Sequence, residues 1–161
     1  MFCDIKDELD DPIDMDITIR EASEGDIHEI LALINNELGY PDVSFDEVST
    51  KIARMMEQGN YSIFVAVIDE KVVGFITVVQ GIALEIRSDY FRILELAVSK
   101  AYQNKGIGKS PLRHIDVLAV EKGVSCISLS CGLHRTDAHA FYECNGYSKT
   151  SFAFAKGDKR K

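Results

Sequence analysis

The sequence has little of several things that would commit it to a narrow class. Only 3 of its 161 residues are proline, and its 11 glycines are scattered among 46% hydrophobic and 27% charged residues, so the bias of a disordered or fibrous chain is absent. Long apolar runs are also missing. The longest, Val72 to Val79, is eight residues including Gly74, far short of the roughly 18 to 20 that a membrane-spanning helix requires. The start, Met1-Phe2-Cys3-Asp4, lacks a signal-peptide pattern, and the expectation is a soluble, cytoplasmic protein with no membrane partner. Positive charge is scarce: 18 Lys and Arg against 26 Asp and Glu give a net charge of -8, which disfavours docking on DNA or RNA. The four cysteines, Cys3, Cys126, Cys131 and Cys144, include no CxxC pair. Without a secretory signal they read as reduced thiols. The spacings of Cys126, Cys131, His134, His139 and Cys144 match no common structural zinc site, so no metal is expected.

What is present suits one domain, since about 100 to 200 residues is the usual length of one. Charge divides the chain. Residues 1–16 hold seven acids against Lys6 and read as an acidic, solvated N-terminal tail; residues 156–161 carry a charge of +3 and read as a basic C-terminal tail. Residues 17–155, left with -5, form the folded domain.

Ile17 and Ile19 alternate with Thr18 and Arg20, a short edge strand. Ser23 with Asp26 opens a helix whose stripe is Ile27, Ile30, Leu31, Ile34 and Leu38, ended by Gly39; Ser44 with Glu47 opens a second, carrying Val48, Ile52, Met55 and Met56. Tyr61 to Ile68 and Lys71 to Gln80 are β-branched runs around Asp69-Glu70, a hairpin, with Gly74 marking a close backbone approach. Arg92 to Val98 is a strand, about Gly108 to Lys122 a helix, Val124 to Cys131 a strand, Asp137 to Cys144 a short helix and Tyr147 to Ala155 a last strand. That order predicts a mixed sheet with helices rather than a doubly wound fold, and a crossover from Arg92 to Cys131 that aims a glycine-bearing turn and a helix N-terminus at one place.

That turn is Gln103-Asn104-Lys105-Gly106-Ile107-Gly108-Lys109-Ser110. Glycines admit close backbone approach, unpaired N–H groups at a helix start bind anionic oxygen, and the helix dipole adds about 0.3 to 1 kcal/mol per favourable charge. From Leu96 to Ile115 there are four cations (Lys100, Lys105, Lys109, Arg113) and no acid, as a pyrophosphate ligand would require. Two nucleotide motifs fail on these residues. Gly108-Lys109-Ser110 ends like a Walker A loop, but Gln103 stands where its first glycine belongs; a GxGxxG dinucleotide pattern would need glycine at Pro111.

The segment Gln103-x-x-Gly106-x-Gly108 resembles the acyl-CoA signature of the GNAT superfamily of N-acetyltransferases. Glu95-Leu96-Ala97-Val98 is similar to that family's fourth strand, and His134 to Glu143 with Gly146-Tyr147 is similar to its last motif. The resemblance spans roughly Ile17 to Phe154. It implies an α/β (α+β) GNAT fold, a mixed, mostly antiparallel sheet flanked by about four helices. It also implies transfer of an acetyl group from acetyl-CoA to a primary amine of a small molecule or peptide, by direct attack in a ternary complex and without a metal.

By the same resemblance, Tyr142 matches the tyrosine that protonates the leaving thiolate, and Glu95, an acid in an apolar strand, is the candidate base. An alkylammonium with a pKa near 10.4 must lose a proton before attack, a thiolate leaving group with a pKa near 8.5 benefits from an acid, and burial would raise Glu95 toward a useful basicity. Backbone N–H groups of Leu96, Ala97 and Val98 would polarise the thioester. Gln103, Asn104, Lys105, Gly106, Ile107, Gly108, Lys109 and Ser110 would cradle the pyrophosphate, and Arg135 and Ala138 would border the rest of the cofactor. Two departures stand out: Pro111 lies in the first turns of the pyrophosphate helix, and Arg135 stands where many relatives place an asparagine. Gly81 to Phe91 names no acceptor. The alternatives are a catalytically silent acyl-CoA-binding module and, for assembly, a homodimer held by a strand edge.

Overall fold

The β-branched runs at the centre of the chain fold as a hairpin. In the computed structural model, which describes residues 16–157, Tyr61–Ile68 (β2) and Lys71–Gly81 (β3) pair antiparallel. Asp69 and Glu70 join them with positive φ of 48° and 63°, the backbone that a tight two-residue hairpin needs. Thr18–Glu21 (β1) lies along β2 at the sheet's edge, and Tyr90–Val98 (β4) runs antiparallel to β3. Cys126–Leu129 (β5) pairs with β4 in parallel. The order is β1-β2-β3-β4-β5, the mixed, mostly antiparallel sheet expected, and its one parallel pair requires the crossover helix that the sequence supplies.

Both capping pairs form. Asp26 accepts the Ser23 backbone N–H at 2.7 Å ahead of Ile27–Asn36 (α1). Ser44 and Glu47 exchange bonds of 3.3 and 2.9 Å at the start of Phe45–Gln58 (α2), which ends on Gly59 with φ 73°. These two helices cover one face of the sheet: Ile27, Ile30, Leu33 and Val48 bury against Ile63, Val65, Phe75 and Ala97. Leu33, outside the expected stripe, is buried, and Met56, within it, is 50% exposed. α1 packs against both the sheet and α2, so its buried surface is wider than one stripe, while α2 keeps a single seam. On the opposite face Lys109–Glu121 (α3) buries Leu112, Ile115 and Ala119 against Phe64, Ile76, Val78, Phe91 and Ile93, and Thr136–Cys144 (α4) sets Phe141 and Tyr142 at that cluster's margin. Among the described residues no helix is long and apolar enough to cross a membrane.

The expected last strand, Tyr147 to Ala155, is a correction. Tyr147 packs on the core and its N–H reaches Tyr142 O at 3.0 Å, but residues 148–156 hold no regular element, and Phe152 and Phe154 are 76% and 95% exposed. Alternation makes a segment fit for a strand; only pairing with an edge makes it one, and here no edge receives it. The strand expected over Val124 to Cys131 shortens to β5 because Val124 N–H closes α3 on Ala119 O at 2.8 Å. Cys126 and Cys131 are free thiols, and Cys3 lies outside the described residues. The acidic tail up to residue 15 and the last four residues lie outside the described residues.

Candidate active site

The site begins where β4 changes neighbours. Its register with β3 sets Val78 opposite Ile93 and Thr77 opposite Glu95, so Leu94 is an extra, bulged residue. Pairing with β5 ends at the same place, at Ile93 and Leu129, while β4 continues to Val98. A bulge increases local twist and re-aims side chains, and the second half of β4 therefore presents one unpaired edge. Ser99 N–H bonds Val73 O at 2.7 Å; by antiparallel alternation Ala97 N–H also faces β3, whereas Leu96 and Val98 turn their N–H groups toward the open side. Of the three N–H groups expected to polarise a thioester, two face the gap.

The cradle follows β4. Gln103 bridges the turn, its Nε2 donating to Val98 O at 2.8 Å and to Glu37 Oε2 at 3.4 Å. Asn104 and Gly106 have positive φ of 60° and 75°, and such alternation of backbone handedness turns successive N–H groups into one concavity. Ile107 is an anchor rather than a ligand side chain: it is buried with Ala66, Ile68 and Val73. α3 starts after Gly108 with no side-chain cap, and its first two N–H groups close back on the turn, Lys109 N–H on Gly106 O at 3.3 Å and Ser110 N–H on Ile107 O at 3.2 Å, so an anion here would meet the turn's own N–H groups, with the helix dipole behind them. Pro111 is the third residue of α3 and is buried. Its missing N–H thus falls among donors that have no helical partner, and α3 runs on to Glu121. Lys100, Lys105, Lys109 and Arg113 are exposed; Lys105 Nζ lies 5.7 Å from the Tyr102 ring centre.

Glu95 and Tyr142 approach the gap from opposite faces. Glu95 shares its face of the sheet with Ala97, the side covered by α1 and α2. Burial raises its pKa, while a hydrogen bond with Thr77 and the Lys51 cation on α2 pull it partly back. Tyr142 packs on the α3 side, with Phe141 and Tyr147 at ring-centre distances of 5.3 and 5.8 Å. Its pKa is raised, first by burial and then by Cys131, against a lowering by Arg135. A phenol held above its ordinary pKa stays protonated at neutral pH and can act as an acid. Gly108 lets α4 close on the loop: a Cβ there would lie 3.1 Å from Phe141 Cζ.

Arg135 is exposed at the N-terminus of α4 and acts on Tyr142 electrostatically, and Ala138 is half-buried on the first turns of that helix. His139 serves the scaffold, its Nε2 lying 2.8 Å from Gly132 O. Ser110 is half-buried in the first turn of α3 and Lys109 exposed beside it. Sequence reasoning missed Thr77, Lys51 and Glu37. Thr77 was legible as the polar residue inside the run Val72 to Val79; Lys51 and Glu37 reach their partners only through the packing of α1 and α2. Tyr147 carries a buried hydroxyl without a hydrogen-bond partner among the described residues, and burial pushes its pKa up to about 12.

The sequence profile described as "Acetyltransferase (GNAT) family" matches residues 27–147. An aminoalkylphosphonate N-acetyltransferase of Salmonella typhimurium (strain LT2) is 28% identical over 86% of this chain and 89% of its own length. An uncharacterized N-acetyltransferase of Bacillus subtilis (strain 168) is 34% identical over 44% of this chain, and the match spans 50% of that protein. Among solved structures, a transcriptional regulator from Bacillus halodurans C-125 superposes with a TM-score of 0.81 at 25% identity, covering 88% of this chain and 99% of that one.

Proposed function

The chain belongs to the acetyltransferase (GNAT) family, and from that premise we propose that it transfers the acetyl group of acetyl-CoA to a primary amine of a small molecule or peptide, by direct attack in a ternary complex. One observation carries the reading: β4 loses its β5 partner at Ile93, opening a slot between Glu95 on one face of the sheet and Tyr142 on the other. A thioester threaded through that slot would have its carbonyl beside the outward N–H groups of Leu96 and Val98, the oxyanion role that in other enzymes is worth roughly 2.7 to 4 kcal/mol per donor. Its diphosphate would sit on the N–H groups of Asn104 to Gly108, just ahead of Lys109 and Ser110, whose N–H groups bond Gly106 O and Ile107 O. Glu95, raised by burial, takes the proton of the attacking ammonium, directly or through water. Tyr142, neutral at physiological pH, gives a proton to the departing thiolate. No metal enters the reaction.

The relative from Salmonella acts on an aminoalkylphosphonate by name, so aminoalkylphosphonates head the acceptor screen, followed by polyamines, aminoglycosides and lysine peptides. Calorimetric titration with acetyl-CoA, CoA and Mg-ATP, with Gly108→Trp as the site control, tests the reading. A Trp at 108 would drive into Phe141, so the expected result is acetyl-CoA binding that the variant loses, with no ATP binding. Absence of acetyl-CoA binding by folded wild-type protein would overturn the reading.

A further inference from the structure

Glu37 lies at the C-terminal cap of α1, where the helix's partial negative charge disfavours an acid. A residue set against its local electrostatics calls for a compensating contact elsewhere, and here that contact lies 63 residues away in sequence. One carboxylate oxygen accepts Lys100 N–H at 3.0 Å, and the other accepts the Gln103 amide at 3.4 Å. The same Gln103 nitrogen donates to Val98 O at 2.8 Å. Both hydrogens of that amide are therefore committed within the protein, and Gln103 has no N–H left for a phosphate. Its side chain shapes the turn instead, pinned between the end of β4 and the end of α1.

We propose that Glu37 is a positioning residue for the cofactor loop: it clamps Ser99 to Gln103 through Lys100 N–H and the Gln103 amide, so that the N–H groups from Asn104 onward are preorganised for an anionic ligand. The inference rests on the proposed acetyl-CoA site. It requires the acceptor oxygens of Glu37 rather than its charge, because a carboxylate near a diphosphate is electrostatically unfavourable and the two donors it meets are a neutral N–H and a neutral amide. The Glu37 to Lys100 contact also joins α1, on the Glu95 face of the sheet, to the loop that starts α3 on the Tyr142 face.

The test compares wild type, Glu37→Ala and Glu37→Gln for CoA affinity by calorimetry and for KM of acetyl-CoA and kcat with an accepted amine. Losing the two hydrogen bonds that hold the turn predicts a rise of about five- to twentyfold in Kd and KM for Glu37→Ala, with kcat unchanged. Glu37→Gln, which keeps an oxygen for Lys100 N–H, is expected to recover most of the affinity. Glu37→Ala that binds CoA as tightly as wild type, or more tightly, would overturn the clamp, as would Glu37→Gln behaving like Glu37→Ala. A fall in kcat at unchanged KM would also overturn it. Wild-type protein that binds no CoA refutes the acetyl-CoA reading itself, a separate outcome. Circular dichroism and the unfolding midpoint of each variant separate a lost clamp from a lost fold.

Discussion

Gly74 on β3 lies against the backbone of Ala97 on β4: a Cβ at position 74 would sit 2.8 Å from Ala97 O and 3.3 Å from Val98 Cγ2. Backbone cannot give way as a side-chain tip can, so Gly74→Ala must push the end of β4 outward and carry the Leu96 and Val98 N–H groups with it. Overpacking of this kind costs about 1 to 3 kcal/mol of stability, and a misplaced oxyanion site lowers kcat by roughly tenfold to a hundredfold. Urea unfolding and steady-state kinetics measure both. Gly25→Ala is the control, since its Cβ would meet only Ser23 Oγ at 3.7 Å; equal behaviour of the two variants would remove the close approach from the account.

Tyr142→Phe keeps the ring that packs on Phe141 and Tyr147 and removes only the hydroxyl. Calorimetric affinity for acetyl-CoA should stay at the wild-type value while kcat falls by about a hundredfold or more, the scale of a lost general acid. The variant's residual rate should depend on the pKa of the leaving thiol. Unchanged turnover would assign the proton to another donor.

The acid limb of the pH profile should report Glu95. Its pKa is raised above 4.5 by burial and held down by Thr77 and Lys51. Raising a carboxylate's pKa keeps it protonated, and useless as a base, to higher pH; kcat/KM should therefore fall on acidification from a pH above the ordinary glutamate range. Thr77→Val and Lys51→Met each remove an influence that lowers the pKa, so each should move that limb to higher pH. Glu95→Gln should lower kcat and abolish the limb. A limb that stays in place in all three variants would exclude Glu95 as its source.

Much of this arrangement was legible in the chain. The hairpin, the two capping boxes and the glycine-bearing turn are local matters, set by β-branched runs, Ser44 with Glu47, and Gln103 to Gly108, and the structure places each within a residue or two. The registry of β4 was not legible. The bulge at Leu94 depends on how β3 and β4 align, and it decides that Glu95 falls on the α1 and α2 face while Leu96 falls on the other. For the same reason Lys51 and Glu37 escaped notice: each acquires its partner only when distant segments pack. The segment after Tyr147 shows the converse, a strand pattern without the edge that would make it a strand.

Arg20 and Asp26 hold the start of α1 and supply the last prediction. The guanidinium makes a two-pronged contact with the carboxylate at 2.7 and 2.8 Å, and Ser23 adds its N–H at 2.7 Å and its hydroxyl at 3.0 Å. The Asp26 side chain is 8% exposed and the Arg20 side chain 44%, so solvent screens one partner, and Arg20→Ala should cost about 1 to 2 kcal/mol at neutral pH. The hydrogen bond from Arg20, then those from Ser23, hold the Asp26 carboxyl well below its ordinary 3.8 despite burial. A group with a lowered folded-state pKa contributes stability above its unfolded pKa and loses it as the pH falls through the folded one. The gap between wild type and Arg20→Ala should therefore be full at pH 7 and pH 5 and shrink progressively below about pH 4, as Asp26 takes up its proton. Urea midpoints at pH 7, 5, 4 and 3 measure it, and a gap of constant size across that series would show that the Asp26 charge is not what binds Arg20.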